Sequence, residues 1–245
     1  MIKQAMEHIE AISKPQLYEI NNRTYTDKRL VNLPDKKIPG TLTVNTLTGF
    51  RDYIKSGFDD EALDAGLMVH VQAHNSVSLI TELFGIDTHQ RITVIEAVTG
   101  SILDQGFSFD RFMTIPEFII GLQANFAHTD DKQKILELVS NIKAEQSQSY
   151  LDTGYSQEVT AKRATGSSLS TKIQVPNPVM LKPYRTFLEV DQPESSFVFR
   201  LRSGHEGEPP QCGLFDASGG AWKLNAIMNI NEWLKDQDLG LPIIA

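Results

Sequence analysis

The chain has 245 residues, of which 40% are hydrophobic and 22% charged, with a formal net charge of −8. This length allows a sizeable core, the balance excludes wholesale disorder, and no apolar run reaches the length that spans a bilayer. The negative balance weighs against a nucleic-acid coat, which needs a local excess of Lys and Arg.

The segment MIKQAMEHIEAISK has Ile2, Met6, Ile9 and Ile12 near helical spacing. It predicts a helix over Ile2–Ile12 that Pro15 stops, not the apolar core of a leader peptide. The chain is therefore expected in the cytoplasm. Leu17–Ile20 and Arg23–Thr26 flank Asn21-Asn22 and predict a tight hairpin. Asn45 or Thr46 can cap a helix carrying Leu47, Phe50, Arg51 and Ile54, which Gly57 ends. A meander is expected over Leu67–Ala73, Val77–Leu83 and Arg91–Val98, with Leu67, Val69 and Val71 on one face of its first strand.

Thr114-Ile115-Pro116-Glu117 carries the signature of a capping box, followed by an apolar stripe of Ile115, Phe118, Ile119, Leu122 and Phe126. A second helix begins at Thr129, with Asp130 and Asp131 at its positive end and Ile135, Leu138, Val139 and Ile142 as its stripe. Both helices are expected to pack on the meander. From Gln146 to Gln174 the composition shifts to Ser, Thr, Gly and Gln, and strands are expected at Glu158–Arg163, Lys172–Val175, Val179–Val190, Phe197–Arg202 and Cys212–Ala217. A last helix holds Ile230, Trp233 and Leu234. The fold class is α+β, with antiparallel sheets, helices on one face and a β-rich C-terminal half. A boundary near residue 145 separates 1–145 from 146–245, unless the two are one continuous domain.

Motifs for familiar chemistry are lacking. GxxxxGK[ST], GxGxxG and GxSxG do not occur. Of the six histidines, the close pair His70 and His74 would lie about 13 Å apart on a strand, too far to share a metal. Asp59-Asp60-Glu61 and Asp64 lack the ligand ladder of a calcium loop. No metal and no cofactor is expected, and no catalytic residue is assigned. Cys212, the one cysteine, precludes an internal disulfide and reads as a buried thiol.

The densest segment is Val175–Phe187. Pro176, Pro178 and Pro183 fix φ and remove donors, so the chain runs extended and delivers Lys182, Tyr184 and Arg185 from a rigid backbone. Nearby, Phe197, Phe199 and Leu201 alternate with Val198, Arg200 and Arg202, which predicts an apolar inner face and two guanidinium groups about 6–7 Å apart outside. Two readings stand open. Lys182, Tyr184, Arg185, Arg200 and Arg202 form a cationic surface for a phosphate-bearing ligand or acidic partner. Alternatively, Arg200 and Arg202 pair with Glu189 and Asp191 across neighbouring strands.

The run VPNPVMLKPYRTFLEVDQPESSFVFRLR, with FDRFM and IGLQANF upstream and LFDASGGAWK downstream, resembles the YfdQ-like family of phage and prophage proteins. The similarity extends over most of the chain, and Pro176 to Arg200 is its most distinctive part. The resemblance implies a bacteriophage or prophage protein acting in the host bacterial cytoplasm, and it supplies no catalytic residue. A stoichiometric binding protein follows as the expectation, commonly a homo-oligomer. It would sequester a nucleotide-type ligand or inhibit a host defence protein, without membrane association. Binding of single-stranded DNA or recombination proteins, a place in the virion, and an enzyme using Cys212 or a carboxylate–histidine pair are the alternatives.

Overall fold

The computed structural model describes residues 2–20, 23–27, 40–59, 66–81, 91–99, 106–143, 147–152, 157–162, 170–174, 177–202 and 209–245. Two compact units divide the chain, Met1–Ile38 and Pro39–Ala245.

The first unit holds α1 (Ile2–Ser13) and an antiparallel hairpin of β1 (Leu17–Ile20) and β2 (Arg23–Thr26), as their spacing predicts. The hairpin is closed at its open end by paired backbone and side-chain bonds between Gln16 and Asp27.

The second unit is built on two larger sheets. One has five strands in the order β14-β4-β5-β6-β3, from β3 (Leu42–Val44), β4 (Leu67–Ala73), β5 (Ser76–Thr81), β6 (Thr93–Val98) and β14 (Ile243–Ile244). Its centre is the expected meander, but both edges are parallel: β3 runs with β6, and β14 with β4. The sheet is therefore mixed, not antiparallel throughout. Val69, Val71, Val77, Leu79, Ile95 and Ala97 form its inner face. Leu47 and Phe50 of α2 (Leu47–Ser56) pack there, together with Ile230 and Leu234 of α5 (Ala221–Asp236). Thr46 caps α2 by accepting from the Gly49 amide, and Gly57 ends it in the left-handed conformation.

The other sheet has the order β11-β12-β13-β7 and is antiparallel. It uses β7 (Met113–Thr114), β11 (Val179–Leu181), β12 (Ser195–Arg202) and β13 (Gln211–Asp216). Phe197, Phe199 and Leu201 of β12 pack with Phe118 and Leu122 of α3 (Ile115–Asn125) and with Ile135 and Val139 of α4 (Asp130–Lys143). These two helices thus cover the second sheet and not the meander. The reason lies in chain path: β7 runs straight into α3 and pairs with β13, which holds both helices beside the C-terminal strands. The capping box forms as expected between Thr114 and Glu117. The Thr129 hydroxyl accepts from the Lys132 amide at the start of α4. Asp131 does more than meet the helix dipole, because its carboxylate accepts from the Met180 amide of β11 at 2.9 Å.

A three-stranded antiparallel sheet of β8 (Ser147–Asp152), β9 (Gln157–Lys162) and β10 (Ser170–Gln174) occupies the Ser/Thr-rich stretch. The strand expected over Val179–Val190 stops at Leu181; beyond it the chain makes a bridge at Pro183 and a turn through Leu188 and Glu189. Elements before residue 145 supply α3, α4 and β7 to the second core, and elements after it supply α5 and β14 to the first. Core membership therefore does not divide at 145.

Candidate ligand cleft

The irregular segment after β11 is set by one buried side chain, Gln192. Its Oε1 accepts from the Arg185 and Thr186 amides, and its Nε2 donates to the Phe187 and Val190 carbonyls. The Tyr184 amide donates to the Asn125 carbonyl at 2.9 Å, tying the segment to the end of α3. The Thr186 hydroxyl donates to the His74 carbonyl in the β4–β5 turn, tying it to the other sheet. Arg185 is thus held where the two layers meet.

A cleft of about 390 Å³ opens there, within the range of small-molecule sites. Phe107, Phe109, Pro183 and Trp222 give it apolar walls; His74, Asp110, Tyr184, Arg185 and Asp216 give it polar ones. The Arg185 guanidinium lies over the rings of Phe109 and Trp222, 4.1 and 4.8 Å from their centres, and its side chain is only 13% exposed. Its Nη1 meets Asp216 Oδ2 at 3.2 Å. Among the described residues, Nε and Nη2 meet no acceptor. That is the planar edge with which arginine grips two acceptors at once.

Asp216 ends β13, where burial opposes its ionisation. Its Oδ1 accepts from the Ser218 amide and hydroxyl, and these bonds with Arg185 outweigh burial and hold the carboxyl below its usual range. Burial depresses Arg185 itself, against the pull of Asp216 and Asp110. Asp110 has φ 60, a left-handed conformation that Asp tolerates. Its amide donates to the Leu214 carbonyl and its Oδ1 accepts from the Asp216 amide, so the carboxylate is anchored by one oxygen. His74 is kept below its ordinary pKa first by burial and then by the charges of Lys223 and Arg185. It packs edge-on against Trp222 at 4.8 Å. No hydrogen bond joins His74 to either carboxylate among the described residues.

Of the five residues singled out in the sequence, the cleft brings together Tyr184 and Arg185. Lys182 points elsewhere, into an ion pair with Asp191 at 3.1 Å. Arg200 donates to the Phe199 carbonyl. Arg202 covers the Phe112 ring at 4.4 Å and gives Nε and Nη2 to Gln211 Oε1. Glu189 accepts from the Thr48 amide of α2, Asp191 holds Lys182, and Arg202 turns to Gln211 instead of to either carboxylate. Cys212 lies in the second core with its thiol pushed up by burial, away from the cleft lining. Asp59 accepts from the Tyr53 hydroxyl, while Asp60, Glu61 and Asp64 lie outside the described residues.

His74, Phe109, Asp110, Asp216 and Trp222 were not marked by the sequence as one site. They come from four separate stretches of chain; His74 was weighed only as half of a metal pair, and the others lie in the FDRFM and LFDASGGAWK segments without a role assigned.

The fold is α+β, with a ligand-sized cleft at the junction of its two layers. No family model, curated protein or solved structure matches the chain.

Proposed function

We propose that this chain is a non-catalytic binding protein that sequesters a small nucleotide-type ligand in the cleft around Arg185. The carrying observation is the open Nε and Nη2 edge of a nearly buried guanidinium inside a cleft with apolar walls. These donors are not among the buried atoms left without a partner, so solvent reaches them, and a ligand with two adjacent acceptors can take its place. Capture without turnover fits the chemistry of the lining. Its histidine makes no carboxylate relay among the described residues, and the buried thiol lies elsewhere. The phage setting, and with it a counter-defence role in the host cytoplasm, rests on the resemblance of the Pro176–Arg200 segment to the YfdQ-like family.

The test is retention. Purified chain is incubated with a mixture of nucleosides and nucleotides, separated from free ligand, and denatured to release what it holds. The expected result is near-stoichiometric recovery of one unaltered compound, and its loss in R185Q. Recovery of a chemically changed compound would replace capture with catalysis, and an empty protein would overturn the reading.

A further inference from the structure

Resting on that capture reading, we infer that Arg185 and Asp110 together read the edge of a guanine ring, so that the ligand is held by its base and not by its phosphate.

The charges at the polar end of the cleft are the first ground. Arg185 is already paired with Asp216, and Asp110 stands beside the same guanidinium. Lys223, the other cation near His74 and Trp222, brings this neighbourhood only to balance. A phosphate dianion placed on Arg185 would therefore face two carboxylates with no surplus positive charge to hold it.

The hydrogen-bond inventory is the second ground. Beside the Tyr184 hydroxyl, the His74 ring nitrogens, the Trp222 indole N–H and Asn125 Oδ1, the cleft lining offers two adjacent donors, Arg185 Nε and Nη2, next to one acceptor, Asp110 Oδ2, whose partner oxygen is anchored to the Asp216 amide. Guanine presents the complement. Its O6 and N7 are adjacent acceptors that arginine takes bidentately, and the N1–H and N2–H donors lie next to O6. Adenine places its N6 donor where the arginine edge needs an acceptor. A planar ring also suits the walls of Phe107, Phe109, Pro183 and Trp222.

Both groups are fixed before any ligand arrives. Gln192 holds the Arg185 backbone, and Phe109 and Trp222 set the guanidinium. The Leu214 carbonyl and the Asp216 amide set Asp110. Such preorganisation lowers the ordering cost of binding.

The experiment titrates the full chain with guanosine, GMP, adenosine, AMP, cytidine, inorganic phosphate and phenylalanine, by calorimetry and by tryptophan fluorescence, with W233F leaving Trp222 as the one reporter. Guanosine and GMP are expected to bind within roughly threefold of each other, because the base carries the recognition. Adenosine is expected to bind roughly ten- to a hundredfold more weakly, the discrimination of one bidentate pair. D110N keeps Oδ1 and a residue that tolerates the left-handed backbone, but turns the open acceptor into a donor. It should melt as the parent does and lose about tenfold or more in guanosine affinity. If AMP, phosphate or phenylalanine binds as tightly as guanosine and R185K abolishes it, the guanine assignment falls and capture at Arg185 stands. Undiminished guanosine binding by D110N also overturns the assignment. If no probe binds, the guanine assignment falls, and capture falls with it only if the retention test also returns an empty protein.

Discussion

Gln192 uses all its hydrogen-bonding capacity on the backbone of the segment that carries Arg185, from a site only 4% exposed. Replacing it with leucine keeps an apolar group of similar size but strands the Arg185 and Thr186 amides and the Val190 carbonyl, leaving the Phe187 carbonyl only the Val190 amide. Q192L should lose about 3 kcal/mol or more in urea denaturation, and ligand retention should fall with it. The proline-rich run is legible as rigid and cationic. Which of its cations meets the cleft is not, because the strand ends at Leu181 and side-chain direction beyond it follows from Gln192 and not from alternation. That is why Lys182 turns to Asp191 while Arg185 turns inward.

His74 makes the residue scale sensitive to pH. Its folded pKa is lowered, so the unfolded chain binds the proton more readily. The stability it contributes is complete above the unfolded value of about 6.5. It declines as pH falls through that value, and it levels off only below the lowered folded pKa. The melting temperature of the parent should therefore drop between pH 7.5 and 5.5 by more than that of H74Q. Equal drops would remove His74 from the account.

At the scale of elements, the helix boundaries are the most legible part of the fold. The Thr46 and Thr114 caps and the Gly57 stop were readable because each satisfies backbone groups within a few residues. Helix docking was not, since the apolar stripes of α3 and α4 fit either sheet by pattern alone and the choice is made by the β7–β13 pairing. Gly213 shows how closely the strap carrying Phe109 and Asp110 lies on that sheet. A Cβ there would stand 2.6 Å from the Arg111 carbonyl oxygen, a backbone atom that must move to make room. G213A should cost about 1–3 kcal/mol and weaken ligand retention, because the displaced strap carries Asp110. Full retention with unchanged stability would show that the strap yields freely.

For the whole molecule, the α+β class was legible from periodicity, yet the topology was not. The two edge strands that make the first sheet mixed, β3 and β14, are three and two residues long, too short for any alternation to mark them. The last one still matters. The Val69 amide donates to the Pro242 carbonyl, and Leu239, Leu241 and Ile243 pack on the first core. Deleting residues 239–245 should uncover β4 as a sheet edge. The midpoint of denaturation should fall and self-association should rise, as an unpaired edge invites; sedimentation and urea melts together check both.

Because each layer borrows from the far side of residue 145, a nascent chain has no finished interior until synthesis is well past that point. Neither half expressed alone encloses its own oily surface, so each should be insoluble. The two produced in one cell should find each other and rebuild the native whole.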